Sequence, residues 1–251
     1  MNYGIQLYSL RDITKDDFSG ALRQVAEMGY KMVEPAGFFG HSAEDVSAMF
    51  KNYGLTCCST HTGFDLLRDN FKDTLDYHRK IGCNNIILPS APYSTREELD
   101  ETIKLINEWI PVIEGEGMKL HYHNHSHEFQ KNASGQITHD ELANRTDILF
   151  ELDTFWVYNA QLDPVEMMEK YKSRMEFIHL KDGIMQDWSV SGSHAIGKSV
   201  GSGNAPVLAV RKKAIELGVD MVIESEGLDP TGPEEVRRCI DFLKKIDESE
   251  K

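Results

Sequence analysis

The feature that most constrains the fold is a rhythm. Short apolar runs alternate with longer amphipathic segments, eight times over, along the whole chain. The strand-like runs are YGIQLY at 3–8, KMVEP at 31–35, LTCCSTH at 55–61 and NNIILP at 84–89, followed by MKLHYHN at 118–124, ILFELD at 148–153, EFIHLK at 176–181 and DMVIES at 220–225. Between them lie segments of helical period such as FSGALRQVAEMG, FKDTLDYHRKIG and APVLAVRKKAIELG, each ending on a glycine before the next strand, as a helix C-terminal cap does. This alternation is the signature of parallel βα units. Eight units in 251 residues have the size of a single (β/α)8 TIM barrel. A doubly wound open sheet is the competing α/β architecture; the even spacing and the lack of a Gly-rich turn after the first strand favour the barrel. No domain boundary interrupts the pattern, so residues 1–251 are read as one domain. The longest irregular segments, 125–138 and 183–203, are expected to be functional or mobile loops.

Composition excludes several classes of partner. The chain is 40% hydrophobic, enough to bury a sizeable core, and its formal charge of −14 argues against a broad phosphate-binding surface and hence against nucleic acid. No apolar run approaches the roughly 20 residues needed to cross a bilayer. The opening MNYGIQLYSLRD lacks the pattern of a signal peptide, and the expected location is cytoplasmic. The four cysteines (Cys57, Cys58, Cys83, Cys239) show neither a CxxC pair nor zinc-finger spacing and are read as free thiols. A homo-oligomer is compatible with the chain but not dictated by it.

In a barrel of this kind chemistry is built at the C-terminal ends of the strands, and ionisable residues gather there. Glu34 ends the second run and His61 the third. The fifth leads into LHYHNHSHEF, with histidines at every second position, and Asp153 ends the sixth. His179 and Lys181 end the seventh, Glu224 and Glu226 the eighth. Strand parity puts His121, His123 and His125 on one face and pairs Glu151 with Asp153, His179 with Lys181, and Glu224 with Glu226. Converging imidazoles and carboxylates suit one divalent metal ion, with Mn, Zn, Co or Fe favoured over Mg. Each residue also has a plainer reading: Asp153 as a turn cap, Glu34 as a rim ion pair, Trp156 and Phe155 as packing rather than sugar-stacking groups. His127 and Glu128 read as loop residues, and His41, His78 and His139 as surface or helix positions.

Taken in order, GIQLYSLRD, MVEPAG, LHYHNHSHEF, FELDTFWV, FIHLKDG and VIESE resemble the xylose isomerase-like TIM-barrel superfamily, in particular its sugar phosphate isomerase/epimerase branch. The resemblance covers nearly the whole chain. It implies one divalent metal held by residues of strands five to eight. By motif, Asp153, His179 and Glu224 match the branch's ligands. The fifth-strand glutamate, first in an E-N-H triplet, is replaced by His123 in His123–Asn124–His125. A Gly-Glu-Gly before the last strand reads Gly201–Ser202–Gly203.

The chemistry expected is metal-assisted enolisation of a sugar or keto-sugar, giving isomerisation or epimerisation. Glu224 is the candidate base, with Lys181, Glu34 and His61 as opposing acids or bases. His123, Asp153, His179 and Glu224 form the expected metal set, and Tyr8, His125, Trp156 and Glu226 the substrate contacts. The resemblance implies that epimerases of this kind exchange protons through glutamates of the fifth and eighth strands. The histidine at 123 therefore gives weight to an alternative outcome: loss of a β-substituent from a 3-keto sugar, keto-glycoside or cyclitol by a lyase or dehydratase. A non-catalytic sugar-binding barrel is a second alternative. The superfamily also includes zinc-dependent AP endonucleases, whose basic DNA-binding face is at odds with a charge of −14. No phosphate-binding loop is present, and the substrate is expected to be unphosphorylated.

Overall fold

The computed structural model describes residue 1 and residues 3–250. Nine short parallel strands form a nearly closed barrel: β1 (Gly4–Gln6), β2 (Met32–Glu34), β3 (Thr56–Cys57), β4 (Thr60–His61), β5 (Asn85–Leu88), β6 (Lys119–His123), β7 (Leu149–Asp153), β8 (Met175–Ile184) and, after the hairpin strand β9 (Ile196–Lys198), β10 (Asp220–Glu224). Their lateral order is β3-β2-β1-β10-β8-β7-β6-β5-β4, with β9 antiparallel to β8. The ladder is interrupted within the third predicted strand. Thr56 and Cys57 pair with β2 while Thr60 and His61 pair with β5, so the ring is completed by the chain between them.

Around the strands lie α1 (Arg11–Thr14), α2 (Phe18–Met28), α3 (Ala43–Tyr53), α4 (Phe64–Ile81), α5 (Arg96–Gly115), α6 (Thr138–Arg145), α7 (Thr154–Asn159), α8 (Pro164–Tyr171), α9 (Val207–Leu217) and α10 (Gly232–Ser249). The three glycines expected to end helices, Gly29, Gly82 and Gly218, follow α2, α4 and α9 in the left-handed region at φ 101°, 74° and 69°. None of the described helices is long and apolar enough to cross a membrane.

Strand parity divides the core. Leu120, Tyr122, Phe150, Leu152, Ile178 and Leu180 are buried with the surrounding helices, while their neighbours face the lumen. At the lower end of the lumen Cys58, Phe177 and Val222 form an apolar plug with Met32. Two positions beyond Met32, Phe177 and Val222 stand Glu34, His179 and Glu224. The barrel thus changes from apolar to ionic within one side-chain layer, and the ionic end is the C-terminal one. All four cysteines are free and buried.

Candidate active site

Each strand end is tied to the next by short polar links. Asn124, just beyond β6, accepts from Asp153 N at 3.1 Å and donates to Asp153 O at 3.3 Å. Thr154 donates to the His179 carbonyl at 2.8 Å. Asp153 caps α7 by accepting from Trp156 N through Oδ1 at 2.9 Å. Its other oxygen, Oδ2, is buried and has no hydrogen-bond partner among the described residues. The turn-cap and ligand readings of Asp153 are therefore compatible: the two oxygens face different ways.

That second oxygen faces three more donors. His123 Nε2 lies 3.5 Å from Asp153 Oδ2 and 3.1 Å from His179 Nδ1, which is 3.3 Å from Glu224 Oε2. All four donor atoms lie within 4.8 Å of one another. Two imidazole nitrogens and two carboxylate oxygens, all buried and aimed at a common centre, suit a divalent cation of the imidazole-binding kind. Lys181 borders the set, its Nζ 2.8 Å from Glu224 Oε2, 3.3 Å from Asp153 Oδ2 and 2.6 Å from Glu226 Oε1. It also lies 4.7 Å above the Trp156 ring. Burial alone would discharge Lys181, but the three carboxylates outweigh it and hold the ammonium firmly protonated. Burial likewise pushes the Asp153 carboxyl up, and the Lys181 charge together with His123 and His179 more than reverses this.

Beneath this layer lies a second one that sequence reasoning resolved only in part. His179 Nε2 is 2.8 Å from Glu34 Oε1 and 3.2 Å from Glu151 Oε2. His61 Nε2 is 3.3 Å and 3.0 Å from the same two carboxylates. Gln6 donates to Glu34 at 2.6 Å, and Ser59 donates to its other oxygen. With Nε2–H given to these carboxylates, His179 Nδ1 keeps its lone pair for the upper centre, the arrangement that fixes a metal-ligating histidine. Burial and the Glu34 charge push the Glu151 carboxyl up to about 7. Strand parity already paired Glu151 with Asp153; what it lacked was depth, because the register decides which of the two reaches the mouth.

The cavity above the centre encloses about 1000 Å³. Tyr8, His61, His123, His125, Trp156, Glu224 and Glu226 line it, while Glu34, Asp153, His179 and Lys181 do not. Glu34 is wholly buried behind His179 and does not reach the cavity. Of the two aromatics after Asp153, Trp156 lines the cavity and Phe155 is buried. His121 is buried deeper, bonded to Asn85 at 3.1 Å, and His127 lies in an exposed 3-10 turn. Glu128 in that turn is buried, and His78 and His139, on helices, are buried rather than at the surface. His41 lines the outer cavity.

Known proteins share this architecture. A curated inosose dehydratase of Geobacillus kaustophilus (strain HTA426) is 26% identical over 187 residues, 64% of this chain and 60% of the relative. Two crystal structures of sugar phosphate isomerase/epimerase proteins from Parabacteroides distasonis superpose with TM-scores of 0.80 and 0.79, at 25% and 27% identity. They cover 96% and 97% of this chain and 93% and 98% of theirs. The family model for the xylose isomerase-like TIM barrel matches residues 22–246, nearly the full barrel whose mouth holds the centre described above, and the chain belongs to that family.

Proposed function

We propose that this protein is a divalent-metal-dependent enzyme that enolises an unphosphorylated keto-sugar or cyclitol and then loses a β-substituent, the reaction of a dehydratase or lyase. The observation that carries the reading is the buried four-donor centre of His123, Asp153, His179 and Glu224. His123, Asp153, His179 and Glu224 would hold the cation, which when bound would supply Lewis-acid polarisation of a carbonyl and its neighbouring hydroxyl.

The remaining work falls to the chain. Glu226, on the cavity wall and paired with Lys181, accepts the proton from the carbon next to the carbonyl. Lys181 keeps the Glu224 and Glu226 carboxylates in place. His125 lines the cavity beyond the end of β6, with β7 and β8 separating that strand from β10. From there it gives a proton to the departing oxygen. The C–H electron pair becomes the new double bond, the C–O bond at the β-carbon breaks, and water or an alcohol leaves.

The placement of His123 favours elimination over epimerisation. Its Nε2 is committed to the donor set, so this wall lacks a carboxylate to exchange protons opposite Glu226. The relative named inosose dehydratase agrees with this outcome. Isomerisation or epimerisation is the second reading, favoured by the names of the two Parabacteroides neighbours and by His125 as a proton donor across the mouth. The charge of the cavity supports an unphosphorylated substrate. Among the described residues no Lys or Arg lines the cavity, whereas Asp73, Glu224 and Glu226 do.

Turnover of inosose and of a 3-keto-glucoside in deuterated water tests the proposal. Elimination predicts that the α-hydrogen passes to solvent together with release of water or alcohol. A rearranged product carrying solvent deuterium, with nothing released, selects the second reading. Full retention of the α-hydrogen in product contradicts enolisation altogether.

A further inference from the structure

The cavity is much larger than its polar end requires. About 1000 Å³ is the top of the range that encloses drug-sized ligands, and one sugar or cyclitol ring beside the donor set fills a minor part of it. The rest runs outward between the loop after β2, residues 36–41, and α4. Phe38, Phe39, Leu66 and Tyr77 give this arm its apolar surface, with Asn70, Asp73 and Thr74 of α4 beside them. Tyr8 lines the same cavity, and Tyr8, Phe39 and Leu66 are 46%, 45% and 48% exposed. Three large apolar side chains left open on one concavity mark a binding surface rather than scattered surface residues.

The arm is built in advance. Phe39 sits at φ 51°, between Gly37 at 101° and Gly40 at 81°. A bulky residue in the left-handed region is strained and persists where its surroundings hold it. Here they do. The Phe38 ring lies 4.6 Å from Tyr77, Tyr77 Oη donates to the His41 carbonyl at 2.9 Å, and the Phe39 ring rests 5.8 Å from buried Phe18. On the facing side α4 departs from helical geometry at Asn70 (φ −133°, ψ 38°), a residue that lines the arm.

We infer that this arm is a subsite for an aromatic group attached to the reacting ring, so that the substrate is an aryl glycoside of a keto-sugar rather than a free monosaccharide. The inference rests on the carbohydrate reading of the centre. Rings stacked along Phe39 and Tyr77 gain both buried apolar area and aromatic contact. The ring oxygens stay at the polar end with His125, Glu226 and Trp156.

Calorimetric titration of the metal-loaded protein with phenyl β-glucoside and methyl β-glucoside tests this. The phenyl glycoside is expected to bind at least tenfold more tightly. Phe39→Ala and Leu66→Ser should each bring the two affinities to within about threefold, while Val112→Ser, at an exposed site on α5, should leave the ratio as in the native protein. Both arm residues are nearly half exposed, so folding is spared, and circular dichroism checks it. Equal affinities in the native protein, or a ratio that survives both arm variants, overturn the subsite. Failure of both glycosides to bind the metal-loaded protein overturns the carbohydrate reading and this inference with it.

Discussion

At the scale of single residues, Asp153 does two jobs with two oxygens, and the jobs can be separated. Asp153→Asn, with its amide oxygen on Trp156 N, keeps the cap but puts an NH2 group in place of the Oδ2 carboxylate oxygen. The expected result is stability within about 1 kcal/mol of native in urea titration, with metal affinity lowered at least about a hundredfold. Asp153→Ala should lose both, adding the cost of an uncapped α7. Glu34 is the complementary case. It lies outside the cavity and bonds His179 Nε2 at 2.8 Å, so Glu34→Gln should weaken metal binding by roughly 10- to 100-fold. That fall is read by competition with a chelating dye, while the affinity for methyl β-glucoside in the metal-loaded protein changes little. At this scale Asp153, His179 and Glu224 were legible because strand parity and motif order place them at the mouth. In the layer below, Glu34 was legible as a candidate acid or base and Glu151 as a face-mate of Asp153, while Gln6 and Ser59 gave no signal. The layer's function depends on depth in the lumen, which parity does not encode.

At the scale of elements, the strands came through where apolar residues alternate with ionic ones, and blurred where other forces set the ends. The run at 55–61 reads as one strand, yet only its ends join ladders. Cys58 and Ser59 sit where the barrel closes, and Asn85 Nδ2 and Val33 O take up Cys58's backbone groups instead. The run expected at 176–181 extends as β8 to Ile184 because β9 pairs with it, an exposed hairpin with no apolar periodicity of its own. The Gly201–Ser202–Gly203 segment beyond β9 is held by one carboxylate. Asp182, buried, accepts from Gly201 N at 2.9 Å, Gly203 N at 2.8 Å and Ala205 N at 3.1 Å. A Cβ at Gly203 would meet Asp182 Oδ1 at 2.2 Å, which accounts for glycine there. Removing the carboxylate in Asp182→Ala strands three loop N–H groups, at a cost of roughly 3 kcal/mol. Urea unfolding should show this as a lower midpoint, with faster hydrogen exchange across 199–206 than in native protein.

At the scale of the whole molecule, the barrel confines charge to one end of its lumen and keeps other titratable groups neutral by burial. His121 and His139 are each pushed down to about 3, chiefly by burial. Both ring nitrogens of His139 lack hydrogen-bond partners among the described residues, and the ring is stacked between Phe129 and Phe150. Below the ordinary histidine value near 6.5 the unfolded chain takes up these protons before the folded one does. Stability is therefore lost as pH falls from about 6.5 towards 3, and each such histidine accounts for about 2 kcal/mol at pH 5. His139→Phe, which gives up no hydrogen bond, should remove one share: its urea midpoint should drop less than that of the native protein between pH 7 and pH 5. An unchanged drop would place the acid sensitivity elsewhere. The central claim, that four side chains from four strands hold one divalent cation at the mouth of this barrel, is tested most directly by metal analysis of protein purified without a histidine tag. One equivalent of a transition metal or zinc per native chain is expected, and almost none in folded Glu224→Gln. Full occupancy in Glu224→Gln would contradict the claim.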